Sequence, residues 1–246
     1  LVDTTIVHIA VPDISRDLPA ALDEIVWVLD AYVLGYAGLL ITAGRLGDLY
    51  GPKRLFLTGL VVFTVGSLLC GLVRGPDQLI GARVVQGIGA ALLTPQTLAV
   101  LTIVFPPARR GAAFGVWGVV AGVATIVGPT LGGLIVSSWG WRWIFLINLP
   151  VGLAAVVLAS RVLPDIRPDR RPRLDLTGTA LVTLGLFLVS FGLIEGQAHD
   201  WGTYRGPVGI AGILATGVLV LVAFAVQQYR RRDGEPLVPV RILGNR

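Results

Sequence analysis

From Ile25 to Ala43, and again from Leu55 to Val73, the chain runs almost without charge, and the pattern recurs as far as residue 226. A helix of roughly 20 residues rising ~1.5 Å each crosses the hydrocarbon core of a bilayer. Few folds can accept so many runs of that length. The composition fits them: 54% of residues are hydrophobic and 14% charged, against about 25% charged in an average soluble domain. The fold class predicted is an all-α, polytopic membrane protein. Apolar runs between charge clusters predict helices near 1–12, 25–44, 55–73, 79–104, 112–136, 143–160, 176–195 and 207–226. The short connections make successive helices antiparallel neighbours.

Positive charge assigns the sides. One set of turns carries Arg45, Lys53, Arg54, Arg109, Arg110, Arg161, Arg167, Arg170, Arg171, Arg173, Arg230, Arg231, Arg232, Arg241 and Arg246, 15 basic residues in all. The other set carries four, Arg16, Arg74, Arg142 and Arg205. By the positive-inside rule the first set faces the cytoplasm. Trp27, Trp139, Trp141, Trp143 and Trp201 then fall at the outer boundary, where indole rings anchor, and Trp117 falls within a span.

Several function classes are disfavoured. A single cysteine, Cys70, and two distant histidines, His8 and His199, give no typical metal site. The net charge of +5 is dispersed between apolar spans and forms no nucleic-acid face. No glycine-rich stretch ends in Gly-Lys-[Ser/Thr], so no phosphate-binding loop is present. No nucleophile–base constellation for a membrane enzyme is visible, and no cofactor is expected. The absence of methionine and the short apolar opening, residues 1–12, lead to the expectation of an N-terminal fragment. The arginine-for-lysine bias points to a GC-rich bacterial source.

Charge inside a span is costly, about 2.5–3.5 kcal/mol on insertion scales, so each instance calls for an explanation. Asp3 lies in the first apolar segment, and such a carboxylate must face a cavity, find a partner or take up a proton. The alternative is a solvated position near a helix end. Arg83 lies about one turn into the fourth predicted span, with Gln86 and Gly87 on its face. It can tune a nearby carboxylate or hold an anion, or it can snorkel to the outer headgroups. The fifth span is rich in glycine and includes Gly128-Pro129-Thr130-Leu131-Gly132-Gly133, a site for bending and close helix contact. His8, Asp30, Gln86 and Gln96 are further candidates for cavity lining. Asp30 and Glu195 both read as solvated at the outer boundary.

The stretch from Gly44 to Arg54 is a charged, glycine-punctuated turn between the second and third spans. It resembles the G-x-L-x-D-x-x-G-x-[RK]-[RK] motif of major facilitator transporters at Gly44, Leu46, Asp48, Gly51, Lys53 and Arg54. The chain is also similar to the 14-helix drug:proton antiporter branch of that superfamily. The first-helix pattern matches at Asp3, Thr5, Ile6, Val7, Ala10 and Pro12, with His8 where asparagine is usual. The R-x-x-Q-G-x-G pattern matches at Arg83, Gln86, Gly87 and Gly89. The helix-five antiporter pattern matches at Gly128, Pro129, Gly132 and Gly133, and Trp141 to Pro150 resembles the opening of helix six.

This resemblance implies a major facilitator fold and proton-coupled efflux of a small amphipathic or hydrophobic compound across a bacterial plasma membrane. It assigns proton coupling to Asp3 and Arg83, and gating to Gly44, Asp48, Gly51, Lys53 and Arg54. The expected organisation is a six-helix lobe over 1–160, a cytoplasmic linker over 161–175, two additional helices over 176–226, and a cytoplasmic segment over 227–246. That segment would lead to a C-terminal lobe of the same protein. The partners implied are protons, the small-molecule substrate, the bilayer and that second lobe. A major facilitator uptake symporter for a sugar or organic anion, and a non-transporting scaffold or sensor, stand as alternatives.

Overall fold

The computed structural model describes residues 2–165 and 175–230. Nine helices and one small hairpin are described, in the order α1 (Val2–Asp17), α2 (Leu22–Tyr50), α3 (Pro52–Leu72), α4 (Pro76–Val104), α5 (Pro107–Trp139), α6 (Trp143–Leu146), α7 (Asn148–Val162), α8 (Leu176–Ala198), β1 (Thr203–Arg205), β2 (Val208–Gly209) and α9 (Ile210–Arg230). Counting α6 and α7 together, seven helical segments are long and apolar enough to cross a membrane; α1 is shorter. Most of the linker, 166–174, and the tail, 231–246, lie outside the described residues.

The helices reach further than the apolar runs, because their ends are built from cap residues. Proline opens α3, α4 and α5 at the first helical position, where its missing N–H is not needed. The presumed turn at Gly44–Arg54 is mostly helix: α2 continues to Tyr50, and the chain breaks only at Gly51, whose φ of 89° suits glycine. α1 runs through Pro12 to Asp17. The predicted sixth span is instead two helices meeting at Ile147. Pro150 has no N–H to offer Leu146, so the ladder breaks there. A two-stranded antiparallel hairpin precedes α9, and the sequence reading did not include it.

α4 packs between α2 and α3, α1 lies against α5, and α7 against α3. α8 lies along α2, and α9 packs on α8. The buried core gathers Val7 and Ile14 of α1, Leu18 just after it, Val28 of α2, Leu79 of α4, and Ile144 and Phe145 of α6. These residues lie toward the end where α1 finishes and α2 and α4 begin, the predicted outer side. Elsewhere apolar side chains point outward, as a bilayer requires; Ile126 of α5 is 76% exposed.

Candidate functional site

Because α4 starts at Pro76, Arg83 stands about two turns into its helix rather than one. Its side chain is turned inward and is 1% exposed, so it does not snorkel. Nε donates to the Val28 carbonyl of α2 at 3.1 Å and NH1 to Gln86 Oε1 at 2.7 Å. The guanidinium lies 4.3 Å from the centre of the Tyr32 ring and 5.8 Å from that of Phe145. Ring faces and carbonyl oxygens both favour a buried guanidinium.

The two glycines after Gln86 explain how three helices come this close. A Cβ on Gly87 would collide with the Tyr32 carbonyl of α2, and one on Gly89 with the Phe63 backbone of α3. The R-x-x-Q-G-x-G pattern therefore builds a cation site and the two helix contacts that enclose it.

The other candidates fall in separate places. Asp3 belongs to the backbone of α1, and its side chain lies outside the described residues. His8 is exposed on α1, away from the core residues Val7 and Ala10. Asp30 is half-buried in a groove with Val26, Ile194 and Gln197, within electrostatic reach of Glu195 and His8. Glu195 is buried and paired with His199 Nδ1 at 3.0 Å, which corrects its expected solvated position. Gln86 and Gln96 are sealed within the bundle, and Gln96 Nε2 donates to the Ala43 carbonyl at 2.8 Å.

In α5, Gly128 and Gly132 are buried; Gly132 seats the Ile6 side chain of α1, whereas Gly133 faces open space. The helix continues through Pro129. At the predicted cytoplasmic end a Cβ on Gly44 would meet Pro95 at ordinary contact distance. Asp48 is exposed and lies 3.6 Å from Arg45, and Arg54 is exposed. Lys53 Nζ reaches the Leu163 carbonyl at 2.6 Å, tying α3 to the end of α7.

Sequence reasoning missed the aromatic seat of Arg83, because Tyr32 and Phe145 are remote in sequence. It also missed a tie at the opposite end of α1. Asp17 Oδ2 accepts from Arg142 NH1 and from Trp141 Nε1, the latter at 3.0 Å. Arg142 also stacks on Trp141 and reaches the Val73 carbonyl at 3.3 Å. Trp141 is buried and is not a boundary anchor, a correction to the belt reading. The hydrogen bonds from Arg142 and Trp141 hold the Asp17 carboxyl below its ordinary range.

The profile of the Major Facilitator Superfamily matches residues 1–233. The chain belongs to that superfamily. Among curated relatives it is 46% identical to an uncharacterized MFS-type transporter of Mycobacterium tuberculosis, over all of this chain and 41% of that protein. It is 40% identical to a probable actinorhodin transporter of Streptomyces coelicolor, over 99% of this chain and 42% of the relative. It is also 40% identical to a tetracenomycin C resistance and export protein of Streptomyces glaucescens, over 97% and 43% respectively. The chain thus spans less than half the length of these relatives. Superfamily membership and seven apolar spans make it a multi-pass protein of the plasma membrane.

Proposed function

We propose that this chain contributes the N-terminal six-helix lobe and two additional helices of a proton-coupled exporter of small amphipathic or hydrophobic compounds, antibiotics among them. The observation that carries the reading is Arg83: a guanidinium buried within the bundle, in contact with the Val28 carbonyl, the Gln86 amide and the Tyr32 and Phe145 rings. Natural proteins keep such a group inside a membrane when an ion or substrate pathway uses it. The similarity to a probable actinorhodin transporter and to a tetracenomycin C resistance and export protein supports the substrate class, and the latter supports the outward direction.

In this reading Asp3 takes up the proton from outside, and the field of Arg83 lowers the cost of returning it to the carboxylate state inside. A second lobe completes the cavity, and rocking of the lobes exposes it alternately to the two sides. A membrane potential of ~100 mV contributes about 2.3 kcal/mol per charge moved. Gly132 against Ile6 keeps α1 and α5 in close contact during that motion.

The test uses the full-length protein in inverted vesicles with an imposed proton gradient. Drug uptake into the vesicles should require the gradient, and Asp3→Asn should abolish it while membrane insertion persists. Arg83→Lys, which retains charge but loses the planar fork, should lower flux about tenfold or more. Undiminished flux in Asp3→Asn removes Asp3 from the mechanism, and flux in the opposite direction favours the uptake symporter.

A further inference from the structure

Ser67 and Asn148 have no part in the reading above, yet both are joined to Arg83. Arginine offers only donors, so the Gln86 oxygen must face it, which turns the Gln86 amide N–H away. That N–H meets Ser67 Oγ of α3 at 2.8 Å. Asn148, the first residue of α7, donates Nδ2 to the same oxygen at 3.2 Å. The chain Asn148–Ser67–Gln86–Arg83 thus crosses three helices, and its three inner members are almost wholly buried.

Two observations separate this from ordinary polar packing. A hydroxyl in an apolar helix commonly bonds a carbonyl one turn back. Thr64 and Thr94 do so here, with Leu60 and Ala90, whereas Ser67 Oγ accepts N–H groups from two other helices. The backbones also touch at the crossing: a Cβ on Gly66 would lie 2.7 Å from the Gln86 nitrogen. A contact that tight fixes the register of α3 against α4, so Ser67 cannot follow a displaced Gln86.

We propose that Ser67 and Asn148 are positioning residues that, through Gln86, hold the Arg83 guanidinium against the Tyr32 ring and the Val28 carbonyl. The proposal rests on the proton-coupled reading, in which the placement of Arg83 sets how readily the coupling carboxylate gives up its proton. It therefore links α7, through α3, to the coupling chemistry of α4.

The chain carries its own probe. Cys70 is its single cysteine, is fully buried, and lies with Sγ 3.7 Å from Gln86 Oε1. In the full-length protein, with Cys70 followed by mass spectrometry of its own peptide, Asn148→Ala should speed its modification by N-ethylmaleimide roughly two- to tenfold, the scale of a lost hydrogen bond to Ser67. Asn148→Gln, which keeps an amide donor, should return the rate toward that of the unsubstituted chain.

In the full-length protein Asn148→Ala should shift the pH profile of drug efflux, and add no further shift in an Arg83→Lys background. An unchanged Cys70 rate overturns the proposal. So does a faster rate with an unmoved pH profile, or a loss that adds fully to that of Arg83→Lys, because each describes packing alone. The two readings fail separately. If the unsubstituted full-length protein shows no proton-dependent flux, the functional reading falls. The double-mutant cycle is then read on Cys70 modification, where additivity still overturns the link.

Discussion

A methyl group at Gly87 would strike the Tyr32 backbone carbonyl, whereas one at Gly47 would strike the amide of the Gln96 side chain. Backbone within a packed helix pair cannot swing aside, but a side-chain end can, at the expense of its bond to the Ala43 carbonyl. Gly87→Ala should therefore cost about 1–3 kcal/mol as overpacking, and Gly47→Ala about 1 kcal/mol as one lost hydrogen bond. Gly118 faces open space, and alanine there should be neutral or slightly stabilising. Thermal melting in detergent checks the order, and a Gly47→Ala more damaging than Gly87→Ala would contradict it.

Asp17 carries a pH prediction at the same scale. Its folded-state carboxyl titrates below its ordinary value of 3.8, first because Arg142 and then Trp141 donate to it. A depressed pKa gives stability that is fully present above the unfolded value and is lost as pH falls through the folded one. The advantage of the native protein over Asp17→Asn in melting temperature should accordingly hold near neutrality and fade as the pH falls below the ordinary carboxylate range and through the folded value. The effect should be small, since Asp17 is half-exposed and water screens the pair. An advantage that grows on acidification would refute the assignment.

The existence and order of the helices were legible as apolar runs, because a bilayer demands uninterrupted hydrophobicity. Their ends were not. Proline and charged first-turn residues look like loop in a hydropathy pattern, yet they open α3, α4 and α5. Arg83 was legible as an isolated charge. Its seat was not, because Tyr32 and Phe145 are ordinary aromatics until the helices pack. Asp175 was also missed, being placed in the linker; it is buried, caps α8 through the Gly178 N–H at 2.9 Å, and accepts from Gln227 and Gln228 of α9. Asp175→Ala removes a cap worth about 0.5–2 kcal/mol and takes one acceptor from the buried Gln228 amide. Hydrogen exchange should quicken at the start of α8 and the end of α9 and stay slow in α3 and α4. Acceleration spread evenly over all helices would show that α8 and α9 form no separate unit.

For the whole molecule, orientation is the claim on which the proton route depends. The folded helices bring the turns after α2 and α4 and the ends of α7 and α9 to one side, and the end of α1 with the α5–α6 turn to the other. The 15-to-four division of basic residues assigns these to cytoplasm and exterior. Lys53 bonding the Leu163 carbonyl joins two ends on the basic side, and Arg142 joining Asp17 to Val73 does the same on the other. With Cys70→Ser as background, Arg16→Cys and Trp201→Cys should react with an impermeant thiol reagent in intact cells. Asp48→Cys and Arg109→Cys, equally exposed on the protein, should react only after permeabilisation. The margin of basic residues is wide enough that losing one does not invert the chain. Reversed labelling would place Asp48 and the Gly51 break outside the cell, and the proposed direction of proton entry would have to be reversed with them.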